Sequence, residues 1–412
     1  MYNFLKGRLI SVRLCLLLAA LALVAIGIAA IYSVGNPAEP SPAVKLGDVA
    51  GLWKKQLIFT GIGFMGFVAA NLVNYRRLGS VSHWIYAGIL VLLALLVVSR
   101  YVVELPFAPA SHNAHRWIVL HPRLPWIQPS EFCKLAYILA LAWYLRYRSN
   151  YRNSNALVGP FIVTLLPMVL ILVEPNLGTV ILMMPIFLTM LFVAGAKVKH
   201  LLMVVLVALL LSPLLWSKMK PYQQTRISSV ILQNAWIREK AEQHPALGRI
   251  LVGGRFSTRQ WMRDEGYQLI RSKFAVASGG MTGYGFRQGL FVKYNFLPDR
   301  DNDFIFAMIA HQWGFLGCIV VLGLYALIVA CGLEIAANNT DPFGRLVVIG
   351  IIAMFVVEVL VNVSMTMGLM PITGLTLPLV SYGGSSLMVS MASVGLLNNV
   401  GRCRPFSVAP KR

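Results

Sequence analysis

The sequence is short of charge, and shortest of acid. Only 12% of its 412 residues are charged, against 58% hydrophobic, whereas average soluble domains carry about 25% charged residues. A chain this poor in polar atoms, with a mean hydropathy of +0.70, cannot cover a water-facing globule. A soluble enzyme, a disordered tail and a fibrous protein are excluded. Cysteine is also scarce: Cys15, Cys133, Cys318, Cys331 and Cys403 form no CxxC pair and sit mostly inside apolar stretches. That pattern offers neither a disulfide framework nor a zinc site. Acidic residues number 15 against 36 Lys and Arg, a formal net charge of +21.

What the chain does have is long apolar runs. Runs near the ~20 residues that cross a bilayer fall at about 12–34, 55–74, 83–99, 131–146, 157–173, 177–195, 200–217, 303–333, 344–367 and 377–400. The expected fold is an all-α polytopic membrane protein, a single membrane domain over 1–412 with about ten transmembrane helices. The first run is expected to be a span rather than a cleaved leader, because it is too long for an h-region and its Ala/Gly stretch lies within it.

Short-loop charges set the expected orientation. Lys6, Arg8 and Arg13, then Arg76 and Arg77, Arg146, Arg148 and Arg152, Lys197 and Lys199, and finally Arg402, Arg404, Lys411 and Arg412 all fall on one side of a ten-span chain. Lys and Arg favour the cytoplasmic face, so both termini are expected there. The other side then carries one large extracytoplasmic loop, 218–302, between spans 7 and 8. It holds 14 Lys/Arg and 6 Asp/Glu, a net of +8. Long loops translocate largely regardless of charge, so this platform suits either a phosphate-bearing ligand or anionic membrane lipid.

Candidate chemistry clusters at the outer loops, where an ionisable group near a membrane is a functional hypothesis by default. Gln128-Pro129-Ser130-Glu131 opens the fourth run, with Ser130 or Glu131 able to cap the helix and Lys134 one turn on, able to pair with Glu131. Glu174 begins a tight Pro175-Asn176-Leu177-Gly178 turn, which needs such residues structurally but would also hold a carboxylate toward a substrate or metal. Asp303 lies where the basic loop meets a helix, ahead of Phe304 and Phe306. Desolvation by those rings would raise its pKa and suit a general base, although an N-cap aspartate fits the same position. Ser278-Gly279-Gly280, Gly283 and Gly285, beside Arg271, Lys273, Arg287 and Lys293, could cradle a pyrophosphate on backbone amides. Pro371 to Pro378, then Ser381-Tyr382-Gly383-Gly384-Ser385, must break a helix at membrane depth, which survives only inside protein or along a cavity. Glu358, in mid-run, should face the bundle interior. His112, His115 and His121 have loosely metal-like spacing without an accompanying Cys or acid cluster, so no metal ligands are assigned.

These motifs resemble the SEDS family (FtsW, RodA and SpoVE), polytopic polymerases of bacterial cell-wall glycan. The resemblance runs in order from about residue 55 to 400. It rests on Arg116-Trp117-Ile118, Gln128-Pro129-Ser130-Glu131 with Lys134, Glu174-Pro175 with Leu177-Gly178-Thr179, and Gly266-Tyr267-Gln268 with Ser272. It continues through Leu297-Pro298, Asp303-Phe304-Ile305-Phe306-Ala307, Gly314-Phe315-Leu316-Gly317, Pro371 with Thr373-Gly374, and Ser381-Tyr382-Gly383-Gly384-Ser385. The resemblance implies ten spans in the bacterial cytoplasmic membrane and, as substrate, lipid II, an undecaprenyl-pyrophosphate-linked disaccharide-pentapeptide. Asp303 matches the family's catalytic aspartate, whose implied role is to deprotonate the acceptor sugar 4-hydroxyl. Glu131, Lys134, Glu174, Arg271, Lys273, Arg287, Lys293 and Ser381 are the expected substrate-binding residues. Implied partners are a class B penicillin-binding protein transpeptidase, other cell-wall synthesis machinery and membrane lipid, with no nucleic acid; a divalent cation is the one cofactor left open. A lipid II flippase, or a catalytically weakened scaffold for a transpeptidase, are the alternative readings. The chain departs from the family pattern at Asn176, usually Asp, at His311-Gln312, usually a Glu pair, at His112-Asn113, and in a longer stretch between Arg226 and Tyr267.

Overall fold

The computed structural model describes residues 9–39, 47–101, 106–109, 116–119, 126–147 and 157–403. The charges at Lys6, Arg8, Arg148, Arg152, Arg404, Lys411 and Arg412, and the histidines at 112, 115 and 121 with Asn113, lie outside the described residues. A helix falls on each expected apolar run: α1 (Ile10–Gly35), α2 (Leu52–Leu72), α3 (Tyr75–Tyr101), α4 (Pro129–Leu145), α5 (Val158–Val173), α6 (Leu177–Val193) and α7 (Val198–Lys218) precede the large loop. The loop contains short helices α8 (Pro221–Ser228), α9 (Ala235–Gln243), α10 (Pro245–Val252), α11 (Thr258–Trp261), α12 (Glu265–Ser278) and α13 (Leu290–Lys293). Then α14 (Ile305–Ala337), α15 (Pro342–Thr366) and α16 (Gly384–Arg402) complete the bundle. Among the described residues there is no strand, only an isolated antiparallel bridge between Ile118 and Ile127.

Six of these helices, α1, α2, α3, α7, α14 and α15, are long and apolar enough to cross a membrane, and α5 and α6 are shorter apolar helices. This is a membrane-embedded helical bundle. At its centre α15, the most buried of the six, packs against α4, α6 and α14. The least buried, α7, lies at the periphery and leaves Leu202, Leu206, Leu209 and Leu210 exposed, as expected of a lipid-facing helix. α16 lies along α2 so closely that a Cβ on Gly395 would sit 2.7 Å from the Phe67 carbonyl. The far ends of these helices are tied by buried side chains: Arg13 Nε donates to Asn398 Oδ1 at 2.8 Å, and Asn398 Nδ2 to Asn71 Oδ1 at 2.5 Å.

Two elements differ from the pattern of apolar runs. α14 is interrupted at Gly314, whose φ of 63° and ψ of −159° no helix contains. The segment before the break, Ile305 to Gln312, is buried on every side, whereas Phe315, Leu316, Ile319 and Val320 beyond it are exposed. The apolar run reads as one span because both halves are apolar. The second half alone, roughly 23 residues or 34 Å, has the length of a crossing. The break frees helix carbonyls and amides, and the glycine segment answers both: Tyr284 N–H donates to His311 O at 3.1 Å and Gly285 N–H to Gln312 O at 2.9 Å, while Gly280 O accepts from Phe315 N–H at 2.9 Å. α16 likewise begins at Gly384 rather than near 377, because Pro378 and the following turn hold the chain non-helical to Gly383.

Candidate active site

The broken segment between α15 and α16 is satisfied by side chains reaching in from the bundle. Ser381 Oγ accepts from Leu377 N–H at 2.8 Å and donates to Asn302 O at 2.7 Å. Gln56 on α2 donates to Ser381 O at 3.2 Å, Tyr325 Oη donates to Pro378 O, and Tyr382 N–H donates to Asp301 O at 2.9 Å. Asn362 on α15 donates through one Nδ2 to Asp303 O at 3.0 Å and to Leu375 O at 2.8 Å. These bonds lock the Asp299–Asp303 turn against the break. Beneath it, the buried Arg300 donates to Phe291 O at 2.7 Å and Val34 O at 3.1 Å, and burial pushes its pKa down to about 10.

Above this latch opens a cavity of about 770 Å³, within the usual size of ligand sites. Asp303 lines it. The N-cap of α14 is Phe304, without a side-chain cap bond, so Asp303 does not cap the helix, and its Oδ1 has no hydrogen-bond partner. Burial first, then Asp299 and Asp301, raise its pKa to about 7, against the opposing charge of Arg226. Such a carboxylate suits proton abstraction near neutral pH. Three cations line the same cavity: Lys55 from α2, Arg116 from the α3–α4 connection and Arg226 from α8. Arg116 is held by donating to Glu174 O at 2.9 Å and Pro175 O at 2.6 Å.

The expected site residues separate into three groups. Asp303 and Glu131 line the cavity. Lys134, Glu174 and Ser381 lie just behind it: Lys134 Nζ sits buried 2.8 Å from Glu131 Oε2 and 2.5 Å from Glu358 Oε1, and Ser381 belongs to the latch. Glu174 is buried with neither carboxylate oxygen hydrogen-bonded, and burial raises its pKa to about 8 in spite of Arg116 and Arg100. Arg271, Lys273, Arg287 and Lys293 are engaged elsewhere. Arg271 stacks on Tyr267 and Phe296, Lys273 donates to Gln233 Oε1 at 2.9 Å, Arg287 donates to Asn36 O at 2.6 Å, and Lys293 pairs with Glu39 at 3.0 Å. The amides of Tyr284 and Gly285 in the glycine segment are taken up by the α14 break, so that segment braces a helix and those two amides are not free for a phosphate.

The departures from the family pattern are used structurally. Asn176 Oδ1 caps α6 through Thr179 N–H at 3.5 Å, and its Nδ2 reaches Ser130 Oγ at 3.1 Å. His311 Nε2 accepts from Phe291 N–H at 3.3 Å, which assigns the proton to Nδ1, where it meets Ser278 Oγ at 2.7 Å. Gln312 Oε1 accepts from Arg287 N–H at 3.0 Å. Among the described residues no three His, Cys, Asp or Glu side chains gather to hold a metal ion, so no step is assigned to one.

Fold and cavity together define a class: a helical membrane protein with an unpartnered acid facing a cationic chamber built from distant parts of the chain. The family model described as "Cell cycle protein", covering FtsW, RodA and SpoVE, matches residues 13–404. The chain is 34% identical over 433 residues to peptidoglycan glycosyltransferase RodA of Treponema pallidum (strain Nichols), covering 93% of this chain and 96% of the relative. It is 32% identical over 398 residues to stage V sporulation protein E of Bacillus subtilis (strain 168), covering 94% and 96%. A solved structure described as the structural coordination of polymerization and crosslinking by a peptidoglycan synthase complex superposes with a TM-score of 0.70 at 29% identity, covering 94% of this chain and 96% of that one. The protein belongs to the FtsW/RodA/SpoVE family.

Proposed function

We propose that this chain is a peptidoglycan glycosyltransferase that polymerises lipid II at the outer face of the bacterial cytoplasmic membrane. The observation that carries the reading is the unpartnered Asp303 carboxylate, its pKa raised to about 7, on the wall of a cavity that also presents Lys55, Arg116 and Arg226. Asp303 takes the proton from the 4-hydroxyl of the acceptor sugar. The resulting oxygen attacks the anomeric carbon of the donor, a new glycosidic bond forms, and the bond to the lipid pyrophosphate breaks. Charge grows on the departing pyrophosphate, where fixed cations stabilise it more than they stabilise the ground state. On this reading the chain has ten spans, cytoplasmic termini and an external 218–302 loop, with the chamber at the outer leaflet; the Lys and Arg of the short loops support that orientation. A class B penicillin-binding protein, crosslinking the strands as they emerge, is the partner this reading calls for.

Purified protein in detergent, supplied with lipid II alone and then with a partner transpeptidase, tests the reading. Muramidase-sensitive glycan strands are expected. Translocation of fluorescent lipid II across proteoliposomes without polymer would instead make the chain a flippase, and neither activity would leave it a scaffold.

A further inference from the structure

One wall of the cavity is aromatic and is built for a purpose the proton transfer does not require. Ile118 and Ile127 form an antiparallel bridge, with Ile118 N–H donating to Ile127 O at 2.7 Å and Ile127 N–H to Ile118 O at 3.0 Å. Successive side chains of extended backbone alternate between faces. The two isoleucines pack on one side with Leu96 and Ala108, and the residue before each, Trp117 and Trp126, turns to the other side and lines the cavity. Their ring centroids lie 6.3 Å apart at 62°. The ledge is anchored at its far end as well: Ser385 Oγ accepts from Gln128 N–H at 2.9 Å and donates to Trp126 O at 3.3 Å.

The Trp126 indole, 45% exposed on the cavity wall, leaves apolar surface for a ligand to cover. Around the ledge the lining turns polar, with Gln128 and the Thr376–Ser386 hydroxyl pair at 2.7 Å. An indole face beside hydroxyl and amide groups matches a pyranose ring, which has an apolar C–H face and a hydroxyl rim, and the second indole, inclined at 62°, closes the ledge from the side. The apolar face favours a sugar over a pyrophosphate, and the hydroxyl and amide rim favours a sugar over a polyprenyl chain. We propose that Trp117 and Trp126 form a carbohydrate subsite that binds a sugar ring of the substrate and positions it in the Asp303 cavity. The assignment rests on the proposed function for the identity of the sugar-bearing ligand.

The test uses the full chain carrying Asp303→Asn, so that bound substrate is not consumed. Two ligands sharing a lipid and a pyrophosphate are compared in detergent: lipid II, which carries the sugars, and undecaprenyl pyrophosphate, which does not. Trp126→Ala and Trp117→Ala are expected to weaken lipid II binding roughly tenfold, the scale of losing one aromatic stacking partner, and to leave undecaprenyl pyrophosphate binding unchanged. Trp126→Phe keeps most of the affinity. Trp126→Leu, which keeps the apolar bulk but not the ring face, loses as much as alanine and serves should the alanine variants fail to fold. Unchanged lipid II affinity across the series, or an equal loss for both ligands, overturns the subsite. If lipid II does not bind even with both tryptophans intact, the proposed function fails first and the subsite with it.

Discussion

Activity should depend on pH through Asp303, and the direction is set by its surroundings. A base must be ionised to accept a proton, and this one is held near pKa 7 rather than 4. At pH 6 about one-eleventh of the enzyme carries the competent carboxylate, at pH 8 about ten-elevenths, so kcat/KM rises roughly tenfold between them. The neighbours tell this limb apart from a generic pH effect. Asp299 raises the pKa and Arg226 lowers it. Asp299→Asn therefore moves the midpoint to lower pH, and Arg226→Gln moves it to higher pH. The assay follows consumption of fluorescent lipid II into muramidase-sensitive strands, in neutral detergent at constant ionic strength, so that no anionic bilayer contributes a surface potential. The midpoint, not the amplitude, is compared, because Arg226 also lines the cavity and its loss will lower the rate itself. An acid limb near pH 4, or a midpoint that stays put in both variants, refutes the raised pKa and the general-base role built on it.

Three further outcomes are expected. Lys134→Met leaves Glu131 and Glu358 buried without their cation and should cost about 3–5 kcal/mol, read as loss of a monodisperse peak after mild heating in detergent; wild-type thermal stability would dismiss the buried triad as a structural element. Neutralising Lys55 should raise the KM for lipid II, whereas neutralising Lys273 or Lys293, which are paired with Gln233 and Glu39, should leave it unchanged; the opposite ranking would restore the loop cations to the site. A single cysteine placed within 235–260 should react with an impermeant thiol reagent in intact cells while one at Arg146 does not, and reversed labelling would turn the cavity to the wrong side of the membrane.

The helices were legible because a bilayer imposes a length, and ten runs near that length are hard to mistake. The break in α14 was not, since one glycine in an apolar run carries no mark of its positive φ; only the strap of Tyr284 and Gly285 on the freed carbonyls reveals it. Asp303 stood out at a loop-to-helix boundary, but that Phe304 rather than Asp303 caps α14 is a matter of local geometry. Arg116 and Trp117 were visible only as parts of a motif, and Lys55, Arg226 and Trp126 carried no signal, because the chamber is assembled from segments far apart in the chain. Asn362 and Gln56 were findable: polar side chains in apolar helices face the interior, and Asn362 is one turn from Glu358 on the same face of α15. Proximity in sequence does not bring the loop cations to the cavity: none of Arg271, Lys273, Arg287 and Lys293 lines it. Arg287 and Lys293 lie near glycines, but Arg287 binds backbone near the end of α1 and Lys293 pairs with Glu39.

The central claim, that Asp303 performs the proton transfer of glycan polymerisation, is tested most directly by Asp303→Asn in the purified protein with lipid II. The substitution keeps the size of the side chain and removes its basicity, and general-base catalysis supplies about 10²–10⁴-fold. The account predicts a variant that folds, binds lipid II and forms no detectable glycan strands over the time in which the wild type exhausts its substrate. Strands formed by the Asn variant at the wild-type rate would contradict it.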